Sequence, residues 1–222
     1  MITLRHHLHL YRFEALLLAL LMLLFNKIVF VNDALYQRYI WPFNVVLLGV
    51  ASIGVFKEHR LWLQIVKNIL LAAVLAVPFL MPAIFTSWWL TLLAIASYML
   101  YYSLIWVEVV RQITRKGEIT LGLVFGSLSG YLLLMVVALF TFLLLEFLQP
   151  GAFKGLQAAS IPEAYRQLSY FSMITIATVG YGDIVPVSDS ARLLAAFFSI
   201  SGQFYMVTLV GIIISKFSTK TH

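Results

Sequence analysis

The sequence predicts an all-α membrane protein with six transmembrane helices and one re-entrant helix. Three observations lead there. Of 222 residues, 62% are hydrophobic and only 11% charged, whereas soluble domains carry about 25% charged residues. Six mainly apolar stretches, at 11–31, 40–56, 61–81, 86–109, 119–147 and 191–215, approach or exceed the roughly 20 residues that cross a bilayer. A further apolar stretch near 164–177 is too short to cross. It reads as a re-entrant helix, because irregular backbone at membrane depth survives only inside protein or beside a water-filled cavity.

The same composition excludes several classes. There are no cysteines, so disulfides and thiolate metal sites are absent. The histidines lie at 6, 7, 9, 59 and 222 and no Ser, His and Asp cluster forms, so no enzyme is expected. The formal charge of +6 reflects basic loops on one side rather than nucleic-acid binding.

Arg5 and Arg12 precede the first stretch, which is read as a retained span because no small-residue cleavage site follows Phe25. His6, His7 and His9 suit either a metal or a pH response, and are taken instead as a solvated basic end. Lys57 and Arg60 lie between spans two and three, Arg111, Arg115 and Lys116 between four and five, and Lys216 and Lys220 after span six. With six spans all these groups share one side, which places both termini in the cytoplasm and the protein in the cell membrane. Trp41, Trp88 and Trp89 then fall at the outer boundary, Trp62 and Trp106 at the inner one. Lys67 lies about two turns into span three and is expected to snorkel inward.

Span four carries no Arg or Lys before Val110, and Glu108 is its one charge. A helix that senses voltage needs repeated basic residues, since each charge moved yields only about 2.3 kcal/mol per 100 mV. The linker 111–118, with Arg111, Arg115 and Lys116, suits the inner surface and anionic lipid headgroups. Span five holds Gly122, Gly126 and Gly130 at four-residue spacing, beside Ser127 and Ser129. Such a face lets another helix approach closely, here span six or a span of the preceding module.

The turret, 148–161, contains the breakers Pro150, Gly151 and Gly155. Ser160-Ile161-Pro162-Glu163 reads as a capping box opening a helix over 162–177. Its carbonyl end would favour a cation. Then comes Thr178-Val179-Gly180-Tyr181-Gly182, followed by Asp183. Carbonyls can replace a cation's water only if successive ones face one axis. That demands left-handed backbone at intervals, which Gly180 and Gly182 permit.

This five-residue string is the one by which potassium-channel filters are known, and residues 119–215 resemble that family. The resemblance implies K⁺ as the permeant ion, no organic cofactor, and a homotetramer whose four loops close a ring. It assigns K⁺ to Thr178, Val179, Gly180 and Tyr181, with Gly182 completing the filter, 178–183. Val179 and Tyr181 would pack behind the loop. Asp183, Tyr170 and Thr175 are expected to support it, Tyr170 by donating to Asp183. Glu146 either holds the pore helix or is a plain boundary charge. Tyr170 and Phe171 stand where the family often has two tryptophans, and Ile174 where some members are acidic. Ser188-Asp189-Ser190 can cap the inner helix, 190–215. Gly202 matches the offset of a family gating hinge, with Gly211 beyond it; close packing against span five is the alternative for Gly202.

The chain then divides into a four-helix peripheral module, 1–110, the linker, and a pore domain, 119–222, whose outer helix is 119–147. The first part matches the family in span number only. The expected function is passive, potassium-selective conduction without steep voltage gating and without a further cytoplasmic domain. The alternatives are a subunit of a coupled potassium transporter and a non-conducting regulatory membrane subunit.

Overall fold

The computed structural model describes residues 11–30, 32, 35–56, 61–115 and 121–218. Arg5, His6, His7, His9, Lys57, Arg60, Lys116 and Lys220 lie outside the described residues, as do the side chains of Trp62 and Lys216.

The fold is helical, with seven α-helices among the described residues. They are α1 (Arg12–Phe25), α2 (Trp41–Ile53), α3 (Leu61–Ile84), α4 (Trp88–Ile113), α5 (Leu121–Leu148), α6 (Ile161–Ile176) and α7 (Asp189–Ser218). A 3-10 turn, Asn26–Ile28, extends α1, and a π-helical turn, Tyr36–Ile40, leads into α2. Two short strands, β1 (Phe153–Lys154) and β2 (Val185–Pro186), pair antiparallel.

Among the described residues three helices are long and apolar enough to cross a membrane, within α4, α5 and α7. The first two predicted spans are shorter as regular helix than the sequence suggests. At 14 residues, α1 rises about 21 Å, less than a hydrocarbon core of about 30 Å. The reason is polar. Asn26 Nδ2 donates to Asn44 Oδ1 at 3.0 Å, and Tyr36 donates to Asn26 Oδ1 at 3.1 Å. These side chains tie the end of α1 to the start of α2, and the continuous apolar pattern hides that break.

Helices α1 and α4 both lie along α5. Tyrosines rather than arginines occupy the buried face of α4. Tyr98, Tyr101 and Tyr102 are three and four residues apart, so they share one face. Tyr98 stacks on Phe140 of α5 at 4.9 Å between centroids, and Tyr102 on the same ring at 5.4 Å. Each such pair adds about 0.5–1.5 kcal/mol beyond its buried area. Tyr98 also donates to the Val74 carbonyl of α3 at 3.1 Å, and Tyr101 pairs with Ser52 of α2 at 2.5 Å. One helix face thereby holds α2, α3 and α5 together.

Glu108 is buried near the end of α4 and accepts from Gln112 at 2.6 Å. Gln112 also donates to the Val55 carbonyl just beyond α2 at 2.6 Å, and Arg111 stands 3.8 Å from Glu108. Lys67 Nζ sits over the Phe56 ring at 5.0 Å. Trp41 is buried rather than facing lipid, between Tyr98 and Tyr165.

The glycine face of α5 has two partners. A Cβ at Gly126 would meet the Phe13 ring of α1 at 3.0 Å, and Ser129 Oγ donates to the Phe13 carbonyl at 3.4 Å. A Cβ at Gly130 would collide with the Tyr205 hydroxyl of α7, which donates to the Ser127 carbonyl at 2.8 Å. Both neighbours expected from the sequence are therefore present, one turn apart.

Gly130→Ala should lower the Tm of the purified protein by displacing Tyr205. The loss should shrink in a Tyr205→Phe background, with a coupling energy of about 0.5–3 kcal/mol in a double-mutant cycle.

Candidate functional site

The site begins with the helix that aims at it. Pro162 sits in the first turn of α6, where an amide has no helical acceptor in any case. The capping box forms only in part. Ser160 makes no side-chain cap bond, and the Glu163 amide bonds the Ser160 carbonyl at 3.1 Å. The Glu163 carboxylate reaches back one residue further than expected, accepting from the Ala159 amide at 2.8 Å. The extended Ser160 backbone brings that amide within reach.

At its other end α6 runs straight into the loop. Thr178, Gly180 and Gly182 have φ of 59°, 52° and 82°, so every second residue is left-handed. The amides of Val179 and Gly180 both donate to the Ile174 carbonyl, at 2.9 and 3.2 Å. Alternating hands of this kind form a nest, in which successive N–H groups converge on one side. The carbonyls must then face the opposite side. The glycines were legible as permissive positions. The left-handed Thr178 was not, because a β-branched residue resists that region. It is secured by its amide, which donates to the Thr175 carbonyl at 3.1 Å; Thr175 thus supports the loop through its backbone.

The loop's exit is clipped to the turret. Phe153 pairs with Pro186 and Lys154 with Val185, and the Val187 amide donates to the Ala152 carbonyl at 2.9 Å. Gly155, at φ 89°, lies so close to Asp183 that a Cβ would collide with the Asp183 carbonyl. The sequence marked Gly155 only as a breaker, and two-residue strands leave no alternating pattern to read. Glu146 serves this clip rather than the pore helix, which corrects the first of its two expected roles. Its carboxylate accepts from the amides of Gly151 at 2.7 Å and Phe153 at 3.2 Å.

Tyr170 and Asp183, the pair expected to bond, line one depression beside the loop. Gln167, which the sequence did not single out, exchanges two hydrogen bonds with the Gln157 backbone, at 2.8 and 2.6 Å. Gly155, Arg166, Gln167, Tyr170, Asp183 and Ile184 line an open depression of about 410 Å³ beside the loop. Phe171 fills the remaining space against Phe142 and Phe153, at 5.2 and 5.3 Å.

Below the loop, Gly202 lies against α6 rather than span five. A Cβ there would meet the Ile176 side chain at 2.8 Å and its carbonyl at 3.0 Å. Tyr131 of α5 donates to the same carbonyl at 3.4 Å. A Cβ at Gly211 would meet nothing within 4 Å. Ser188 caps α7, accepting from the Ala191 amide at 3.2 Å.

A model of an ion-channel family matches residues 130–219, which contain the loop and both flanking helices. The chain is 27% identical over 193 residues to the voltage-gated potassium channel Kch of Escherichia coli, covering 78% of this chain and 44% of that protein. It is 51% identical over 47 residues to two pore potassium channel b of Oryza sativa subsp. japonica, covering 21% and 12%. It is 29% identical over 98 residues to the potassium voltage-gated channel protein Shal of Drosophila melanogaster, covering 44% and 16%. No solved structure matches it. Residues 130–219, less than half of the chain, thus match an ion-channel family, and these relatives are named as potassium channels. The chain spans less than half the length of each of these relatives.

Two apolar features of the chain are left uncovered. Val179 is 50% and Tyr181 73% exposed, so the side chains expected to pack behind the filter find no cover within their own subunit. Along α7, Leu193, Phe197, Ile200, Phe204 and Val207 form an exposed stripe at helical spacing.

Glu146→Ala should speed hydrogen exchange at the amides of Gly151 and Phe153. Bonds to a charged acceptor are worth about 1.5–3 kcal/mol, so an increase of about tenfold or more is expected if exchange there is limited by local opening.

Proposed function

We propose that four copies of this chain assemble around a common axis as a potassium-selective channel in the cell membrane. K⁺ passes down its gradient between the carbonyls of Thr178, Val179, Gly180 and Tyr181. The reading is carried by one observation, the convergence of the Val179 and Gly180 amides on Ile174, which turns the carbonyls away from α6. The matched relatives, each named as a potassium channel, support the choice of ion. Four copies are supported by the exposed α7 stripe and by Val179 and Tyr181, which adjoining subunits would cover.

Conduction is passive and voltage dependence shallow. Kch and Shal are named for voltage gating, but here tyrosines line the packed face of α4, and its charges are Glu108 and Arg111. Of the two candidate hinges, Gly211 is the freer to bend, whereas Gly202 is held against Ile176. The basic residues Arg111 and Arg115 face anionic lipid on the cytoplasmic side, where both termini lie.

The purified protein in liposomes should release K⁺ and retain Na⁺. Gly180→Ala places a Cβ at φ 52°, where an L-residue pays roughly 1–2 kcal/mol. Selective flux should be lost while the protein still inserts in the membrane. Normal selective flux from that variant would sink the filter assignment, and absence of flux from wild type would favour a non-conducting subunit. In planar bilayers the opening probability should lack steep, multi-charge voltage dependence; several gating charges per tetramer would contradict this.

A further inference from the structure

The last turn of a helix leaves four carbonyls without intrahelical donors. In α6 these belong to Met173, Ile174, Thr175 and Ile176. Three are met by the backbone that follows. Met173 accepts from the Ala177 amide at 2.9 Å, Ile174 from Val179 and Gly180, and Thr175 from Thr178 at 3.1 Å. The fourth is met from another helix. Tyr131 of α5 donates its hydroxyl to the Ile176 carbonyl at 3.4 Å. That distance is long for a hydroxyl donor, but Ile176 is buried, so the bond is made where losing it leaves an acceptor unsatisfied. The Tyr131 ring is itself held, stacked on Tyr205 of α7 with centroids 6.0 Å apart. The Tyr205 hydroxyl goes elsewhere, to the Ser127 carbonyl at 2.8 Å. Gly202, one turn before Tyr205, lets α7 close on Ile176, where a Cβ would stand 3.0 Å from the same oxygen.

This contact lies two residues ahead of Thr178, the first left-handed residue of the loop. The bonds to Ile174 and Thr175 orient the amides of residues 178 to 180. The bond from Tyr131 orients the peptide that joins Ile176 to Ala177, through which the chain leaves α6. We propose that Tyr131 is a positioning residue for the inner end of the filter. By holding the Ile176 carbonyl toward α5, its hydroxyl fixes the peptide that enters the loop, and with it the oxygens of Thr178. The ring supplies packing and the hydroxyl supplies direction, so the two roles separate in a variant that keeps the ring. Ligands held in place bind a cation more tightly than ligands that must be ordered on its arrival. Loss of the hydroxyl therefore weakens cation binding at Thr178. This consequence for ions rests on the channel reading; the hold on Ile176 does not.

The test uses the full-length protein in vesicles, with Ba²⁺ as the probe because it is close to K⁺ in size and doubly charged. Tyr131→Phe keeps the ring and removes the hydroxyl. The Ba²⁺ concentration that halves K⁺ flux should rise about threefold, the equivalent of one ordinary hydrogen bond. Tyr205→Phe removes the neighbouring hydroxyl, which serves Ser127 instead. It should lower the Tm about as much as Tyr131→Phe and leave the Ba²⁺ concentration at the wild-type value. An equal shift in both variants, or none in Tyr131→Phe, would overturn the positioning role. An isotope label on the Ile176 carbonyl gives an infrared band that reads the bond without ion flow. In wild type the band should lie at the lower frequency of a hydrogen-bonded carbonyl, and it should rise in Tyr131→Phe. A fluorinated tyrosine at position 131, a stronger donor of nearly the same shape, should lower it further. That measurement decides the contact even if Tyr131→Phe does not fold, since a band unmoved by fluorination would overturn it. If no preparation conducts K⁺, the channel reading fails while the band still decides the hold on Ile176.

Discussion

One carbonyl oxygen organises the start of the loop after α6. Ile174 accepts the amides of two successive residues, Val179 and Gly180, and this orients their peptide planes. A left-handed Thr178 is unfavourable in isolation, and glycine at 180 and 182 merely permits the path. Surrounding contacts must hold what the local backbone would not choose. Above, the turret clip and the Gly155–Asp183 contact fix the exit. Below, Gly202 and Tyr131 close on Ile176. Each contact joins segments far apart in sequence, so the loop's shape depends on the whole pore domain.

The outer module follows a different logic. Its α4 resembles a sensing helix in position alone. Where moving charge through a field would require exposed, repeated basic residues, this helix buries three tyrosines against three neighbours. Aromatic faces give area and stacking, and the hydroxyls of Tyr98 and Tyr101 meet polar partners that lipid could not provide. Such a face makes a brace, and a brace resists sliding. The two-partner glycine face of α5 extends it from α1 through α5 to α7. The junction of this brace with α6 leaves an apolar cavity bordered by Lys27 and Arg166.

Chemistry that is local in the chain was legible in the sequence. Hydropathy located the long helices α4, α5 and α7, because burial in lipid acts on composition over about 20 residues. Gly180 and Gly182 marked a left-handed path, because left-handed backbone restricts residue choice at fixed positions. Ser188 as a cap also follows from a short-range rule. Contacts across the fold left no such trace. Glu146 looked like a helix-end charge, yet its partners are turret amides. Gly202 looked like a hinge or a contact with span five, yet it touches the end of α6. Asn26 lay within an apolar run and ended the helix there because Asn44 and Tyr36 satisfy it.

The amino-acid sequence by itself determined the membrane class, the long helices and the glycines that permit left-handed backbone at 180 and 182. Periodicity and backbone permissiveness are properties of short segments. Only the tertiary structure decided which helix Gly126, Gly130 and Gly202 each meet, and where α1, α3 and α4 leave space beside α6. Those outcomes depend on distances between segments that are remote along the chain, and no residue type encodes a distance.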